Sequence, residues 1–301
     1  MPRNRDLEEV EEVSPFIGLL RNHGWKGVLV FILIALFVVA KDHPEWLSHI
    51  HAPWSGGYTA STNTALILDG DPKPSKVVGP YQVLTNQGYA LGYDDGIQDP
   101  LWVETRFFSV SNPVSEKRPP TFSPDDRVPA EDHIETSYYA RSGYDRGHMA
   151  PNWGVSICYG RDAQLETFRL TNVIPQTHDL NAGLWETLEK VISNDYAERF
   201  GAVWVIDGPI FSGPATYLRD GKIRVPDGCY KIVARQDSSG HITALAFEMP
   251  QLRTMQRQDS LLPQYLVSIN KIESDTGITF FPSLAPEEQS ALKSEAATRL
   301  W

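Results

Sequence analysis

The segment from Gly143 to Glu189 constrains this chain most, because it sets a histidine, an arginine and an amphipathic helix close together in sequence. It opens with Gly143-Tyr144-Asp145-Arg146-Gly147-His148-Met149-Ala150-Pro151-Asn152, a strand-like run. Residues two apart on a strand face the same side, so Arg146 and His148 project together. An imidazole titrates near neutrality and takes a proton from water, while a guanidinium is a fixed charge matched to phosphate. Gly147 between them permits close approach of a backbone or a ligand.

Downstream, Phe168-Arg169-Leu170-Thr171-Asn172-Val173-Ile174-Pro175-Gln176 has the apolar content of a short strand, and a polar turn separates it from Leu180-Asn181-Ala182-Gly183-Leu184-Trp185-Glu186-Thr187-Leu188-Glu189. Leu184, Leu188, Val191 and Ile192 then recur with helical spacing and form one apolar stripe. Asn181 stands at the expected helix start, where its side-chain oxygen either caps the helix or binds a cation. Glu189 follows about 80° further around the helix, so the two residues edge one cleft. Together these features read as a metal-dependent phosphodiester site. Taken singly they have plainer readings: a satisfied structural histidine, a helix cap at Asn181, a solvated helix residue at Glu189.

In this order the residues resemble the DNA/RNA non-specific endonucleases, the ββα-metal nucleases. That family carries a DRGH strand, then Leu-(Ser/Thr)-Asn-(Val/Ile)-x-Pro-Gln, then Leu-Asn-x-x-x-Trp-x-x-Leu-Glu on its metal-binding helix, and this chain has all three between Asp145 and Glu189. The resemblance extends from Tyr81 to Leu284. It implies His148 as general base, Asn181 as the direct metal ligand, Arg146 as a phosphate contact, and Asn172 and Glu189 as site-organising members of the catalytic set. It also implies Mg²⁺, or another divalent cation such as Mn²⁺, DNA and RNA held through the phosphate backbone, 5′-phosphate products and weak sequence preference. The family contains dimers, which leaves a homodimer open. His178 falls in a turn where the family pattern asks for no histidine and is set aside.

The fold implied is α+β, a mainly antiparallel central sheet flanked by helices, with a single membrane helix before it. Gly88–Tyr93 and Leu101–Phe108 form a hairpin across the turn-rich 94–100. Ala202–Phe211, Cys229–Arg235 and Ile242–Glu248 are further strands, and 272–284 resembles the family's closing segment. Lys117-Arg118-Pro119-Pro120-Thr121-Phe122 is a loop where the family places a second phosphate-binding arginine, which makes Arg118 a substrate-binding candidate.

Before that domain, every residue from Val28 to Ala40 is apolar, and Trp25 and Gly27 extend the run past Lys26. The run is short beside the roughly 20 residues of a full crossing, but Lys26 can snorkel and Trp25 suits the interface. Arg3, Arg5, Arg21 and Lys26 precede it and only Lys41 follows closely, so the N-terminus is expected in the cytoplasm. The organisation that follows is a cytoplasmic segment over 1–24, a transmembrane anchor over 25–42, a tether over 43–76 and the endonuclease domain over 77–301. A cleaved signal peptide ending near Val38-Val39-Ala40 is the alternative, and either reading puts the domain on the periplasmic or extracellular side of the cell membrane.

The net charge of −11 excludes a broad basic surface, so affinity for nucleic acid must come from a local cluster around Arg118, Arg146 and the metal, and must be salt-sensitive. The same acidity leaves two other classes in view: a metal-dependent phosphodiesterase for small exported substrates, or a catalytically silent, membrane-tethered binding protein. Cys158 and Cys229 permit one disulfide or two buried thiols.

Overall fold

Nearly continuous burial along Tyr89–Asp94, Ala202–Ile210 and Gly228–Gln236, where successive side chains point to opposite faces, marks a sheet covered on both faces. The computed structural model describes residues 66–301 apart from 115, 219 and 220, and the expected membrane segment and most of the expected tether lie outside them. The strands, in chain order, are β1 (Tyr81–Thr85), β2 (Tyr89–Asp94), β3 (Asp99–Phe108), β4 (Asp145–His148), β5 (Val173–Gln176), β6 (Ala202–Ile210), β7 (Gly228–Gln236), β8 (Ile242–Pro250) and β9 (Leu266–Val267). Seven of them make one sheet in the order β9-β8-β7-β6-β3-β2-β1, with antiparallel pairing throughout. The expected α+β class with its antiparallel sheet is what the structure has. β4 and β5 stand apart as a two-stranded antiparallel ribbon.

Helices α1 (Asn152–Tyr159) and α2 (Arg161–Glu166) follow the ribbon's first strand. A continuous helical segment, 178–200, follows the second, and is called the site helix. Its regular turns are α3 (Glu186–Val191) and α4 (Ala197–Phe200), with wider turns at Leu180–Trp185 and Ile192–Tyr196 and a kink at Gly183 (φ −106°, ψ −118°). The stripe expected from spacing packs inward: Leu184, Leu188 and Ile192 are buried, with Val191 at the edge. They meet the face of the sheet that carries Phe107, Val203, Val205 and Val233.

The opposite face carries Trp102, Ile206, Tyr230 and Ile232, and is covered by α5 (Ile269–Thr276) and by Phe280 and Phe281. Leu68 joins this second layer. Its N–H donates to the Glu104 carboxylate at 2.8 Å, and Lys73–Pro74 pairs with Ile278–Thr279. Leu68 and Lys73–Pro74, in the stretch expected to be tether, thus pack and pair with the domain. Among the described residues no helix is long and apolar enough to cross a membrane. Both cysteines are buried free thiols, Cys158 on α1 and Cys229 on β7.

Candidate active site

The site is built on the ribbon. β4 pairs with β5 so that Asp145 lies opposite Gln176 and His148 opposite Val173. A Cβ on Gly147 would come within 2.1 Å of Gln176 Oε1, so the close approach inferred at this glycine is that of a neighbouring side chain. Past His148, the Asn172 amide holds the chain on its course: Oδ1 accepts from the Ala150 N–H at 2.9 Å, and Nδ2 donates to the carbonyls of Ala150 and Thr167, both at 3.0 Å. Every polar atom of this fully buried side chain is thereby engaged with backbone. Asn172 braces the backbone that follows His148 and does not line the cleft.

His148 packs with two phenylalanines in a three-ring cluster. Its ring lies 5.0 Å from Phe122 and 4.9 Å from Phe168, the latter edge to face, and the two phenyl rings are themselves 4.9 Å apart. Over the same two rings lie two guanidiniums, Arg118 at 5.1 Å from Phe168 and Arg146 at 5.2 Å from Phe122. Cation–π contact and ring packing thus fix His148, Arg118 and Arg146 as one assembly. Burial, then the charges of Arg118 and Arg146, push the imidazole down to about 3. His148 is therefore neutral across the physiological range, with Nε2 buried and bonded to no protein group.

The Arg118 loop has no regular structure, yet it is held at both ends. Arg161 donates to the Lys117 carbonyl, and Gln164 Nε2 donates to the Glu116 carbonyl at 3.3 Å and to Asn152 Oδ1 at 2.8 Å. At the far end the Ser123 N–H donates to Phe168 O at 3.0 Å, and the Leu170 N–H donates to Ser123 O at 2.9 Å. Phe122 is carried to Phe168 by this pairing.

Across the cleft, the Asn181 N–H donates to Thr177 O at 2.9 Å, so Asn181 lies inside the first turn of the site helix, and no side chain caps that turn. The helix starts earlier than the sequence suggested. Asn181 Nδ2 instead donates to Asp145 Oδ2 at 3.0 Å, an oxygen that also lies 2.8 Å from His178 Nδ1. With its amino group tied, the Asn181 amide has its oxygen left to act as an acceptor. Glu189 reaches the same cleft two turns on. Burial, then Asp207 and Glu186, raise its carboxyl to about 8 against the opposing effect of Lys231. Lys231 itself lies beneath the site helix, its Nζ 2.6 Å from Asp207 Oδ1 on the neighbouring strand and 4.1 Å from the centre of the Trp185 ring.

A cavity of about 450 Å³ brings together Arg118, Arg146, His148, Asn181, Glu186 and Glu189. Five of the six site residues expected from sequence thus share one space, and Asn172 stands behind it. Sequence reasoning missed Asp145, Phe122, Phe168 and the buried Lys231–Asp207 pair. Strand alternation was the available signal for the pair, since Lys231 and Asp207 share the inward face with Cys229, Val233 and Val205. Among the described residues no three His, Cys, Asp or Glu side chains are arranged to hold a metal ion. What the cleft offers is an amide oxygen at Asn181 with carboxyls at Glu186 and Glu189. That sparse set of oxygens fits a hard cation that keeps most of its waters.

An antiparallel ribbon that presents an arginine and a neutral histidine toward a helix bearing an asparagine and a glutamate defines a ββα site mounted on a larger antiparallel sheet. The chain belongs to the DNA/RNA non-specific endonuclease family, whose model matches residues 73–287. The mitochondrial nuclease EXOG of Danio rerio is 33% identical over 68% of this chain and 62% of its own length. A nuclease of Nostoc sp. is 30% identical over 76% of this chain and 85% of its own. Human mitochondrial endonuclease G is 29% identical over 67% and 70%. This chain spans 56% to 62% of the length of the EXOG relatives it matches. A chain in the crystal structure of the EndoG/EndoGI complex shares the fold, with a TM-score of 0.60 at 24% identity over 70% of this chain and 90% of that one.

Proposed function

We propose that this chain is an endonuclease that hydrolyses phosphodiester bonds of DNA and RNA with a divalent cation, Mg²⁺ in the first instance and Mn²⁺ as a substitute. The observation that carries the reading is His148: a neutral imidazole packed against two phenyl rings, lining one cleft with two guanidiniums, an asparagine and a glutamate.

In this reading His148 takes a proton from the attacking water. Arg146 and Arg118 hold the phosphate and oppose the negative charge that grows on it. Asn181, held by Asp145, would bind the cation through its amide oxygen, with Glu189 and Glu186 reaching it through water. A bound cation supplies charge stabilisation at the phosphate and the leaving oxygen. Contacts of this kind address the backbone and carry little base information, which suits substrates of both sugars and any sequence.

The test is nicking of supercoiled plasmid and degradation of RNA, each with Mg²⁺, with Mn²⁺ and with chelator. Cation-dependent nicking of both is expected. Turnover of a small chromogenic diester without cleavage of either polymer would favour the phosphodiesterase alternative.

The apolar run over 28–40 and the basic residues before it support a further proposal, that the domain is tethered to the cell membrane on its periplasmic or extracellular side. A reporter fused after Trp301 should then be active only outside the cytoplasm, and cytoplasmic activity would overturn it.

A further inference from the structure

The cleft does not end at the catalytic residues. It continues past Trp153 into a second cavity of about 440 Å³, and Trp153, Gly154, Ser193 and Asn194 line both. The two halves differ in chemistry. The first contains Arg118 and Arg146, with Glu189 and the Lys190–Glu186 ion pair across from them. Among the described residues no basic side chain lines the second: Phe108, Val110, Pro113 and Ile157 supply apolar walls, Ser109 and Asn194 supply hydrogen-bonding groups, and Glu198 supplies one negative charge. A phosphate is drawn to the first half and repelled from the second. What suits the second is flat, uncharged, apolar on its faces and polar at its edge.

Trp153 stands at the junction. It is 39% exposed and, with Tyr217, one of two exposed aromatic side chains among the described residues. Gly154 beside it lets α1 press closely against β3 and the site helix, since a Cβ there would lie 2.6 Å from the Phe107 ring and 3.1 Å from Ser193 Oγ. The indole is thereby kept at the rim of the cleft.

We propose that the second cavity, with Trp153 as its platform, is a stacking subsite for a nucleobase of a nucleotide adjoining the scissile phosphate. The inference rests on the nuclease reading above and adds a specificity to it. A base can enter this space only if it leaves its neighbours in the helical stack, which is cheap in a single strand and costs unpairing and unstacking in a duplex. Stacking accepts any base, because every base has a π-face, so the subsite favours unpaired strands without selecting a sequence.

The experiment uses the full chain, a single-stranded oligothymidylate, and the same strand carrying one baseless tetrahydrofuran residue. Cleavage is mapped with Mg²⁺ at the bonds on either side of that residue. The wild type should cut one of those bonds roughly 5- to 100-fold more slowly than in the parent strand, the range set by the measured worth of base–aromatic stacking. Trp153→Ala should cut parent and baseless strands alike, and Trp153→Phe should keep most of the discrimination. Equal cleavage of the two strands by the wild type would overturn the subsite, as would undiminished discrimination by Trp153→Ala. If the wild type cuts neither strand with Mg²⁺ or Mn²⁺, it is the nuclease reading that has failed. Fluorescence anisotropy with the same two strands then decides the subsite alone: tighter binding of the parent supports it and equal binding refutes it.

Discussion

At the scale of single residues, the site depends on how two side chains are prevented from doing what they would do in water. His148 loses its proton affinity to burial first and to Arg118 and Arg146 second. The pH dependence of kcat/KM reports groups of the free enzyme. Its acid limb should therefore lie far below the ~6.5 of an ordinary histidine. Replacing either arginine by glutamine should move that limb upward, and a limb that stays near neutrality in the wild type would mean that His148 is not held in this way. Asn181 is turned by Asp145, which occupies its amino group and frees its oxygen. Asn181→Ser should raise the Mg²⁺ concentration needed for half-maximal rate. Asn181→Asp should lower it while slowing turnover, because the added charge holds the cation and weakens its pull on phosphate. Coincident Mg²⁺ titrations for wild type and both variants would remove the ligand role.

At the scale of elements, the site helix is secured by its stripe of Leu184, Leu188 and Ile192 and by an ion pair beneath it. Lys231 and Asp207 are both about 1% exposed, so each depends on the other to be tolerated inside. Removing one partner of such a pair costs about 3–5 kcal/mol, because the other is left as an uncompensated buried charge. Asp207→Asn should accordingly lower the unfolding free energy by that order, read by denaturant titration, and a loss below about 1 kcal/mol would show that the pair is dispensable. The stripe and the strands were legible in sequence because periodicities of 3.6 and 2 are local. The first turn of the site helix was not, since it begins at His178 without a capping side chain to announce it. The Phe122–His148–Phe168 clamp was not either: it joins a loop, a ribbon strand and the segment before β5, and only the backbone pairing of Ser123 with Phe168 and Leu170 brings them together. Asn172 was legible as a site residue but not as one engaged wholly with backbone.

At the scale of the whole molecule, the domain places few positive charges where they count. With a net charge of −11 on the chain, the two guanidiniums over the phenylalanine rings would carry the attraction for phosphate in the proposed reading, and the logarithm of the affinity for long polymers should fall with the logarithm of salt at a slope of only about −2. Glu189 gives the fold a second dependence on conditions. Its carboxyl titrates near ~4.3 when unfolded, and burial, then Asp207 and Glu186, raise it to about 8 in the fold. Its contribution to stability is complete below the unfolded value and is lost as pH rises through about 8. The melting temperature of the metal-free protein should thus fall across that window, and Glu189→Gln should flatten the fall. Parallel curves for the two proteins would place an ionised Glu189 in the fold.

The most direct measurement is the turnover of His148→Ala on plasmid DNA at neutral pH with saturating Mg²⁺, alongside its melting temperature and Mg²⁺ titration. The imidazole is assigned to water and not to the cation or the fold. Cleavage should therefore drop by about 10²- to 10⁴-fold, while half-maximal Mg²⁺ stays near the wild-type value and the protein remains folded. A folded variant that cleaves at close to the wild-type rate would contradict the account.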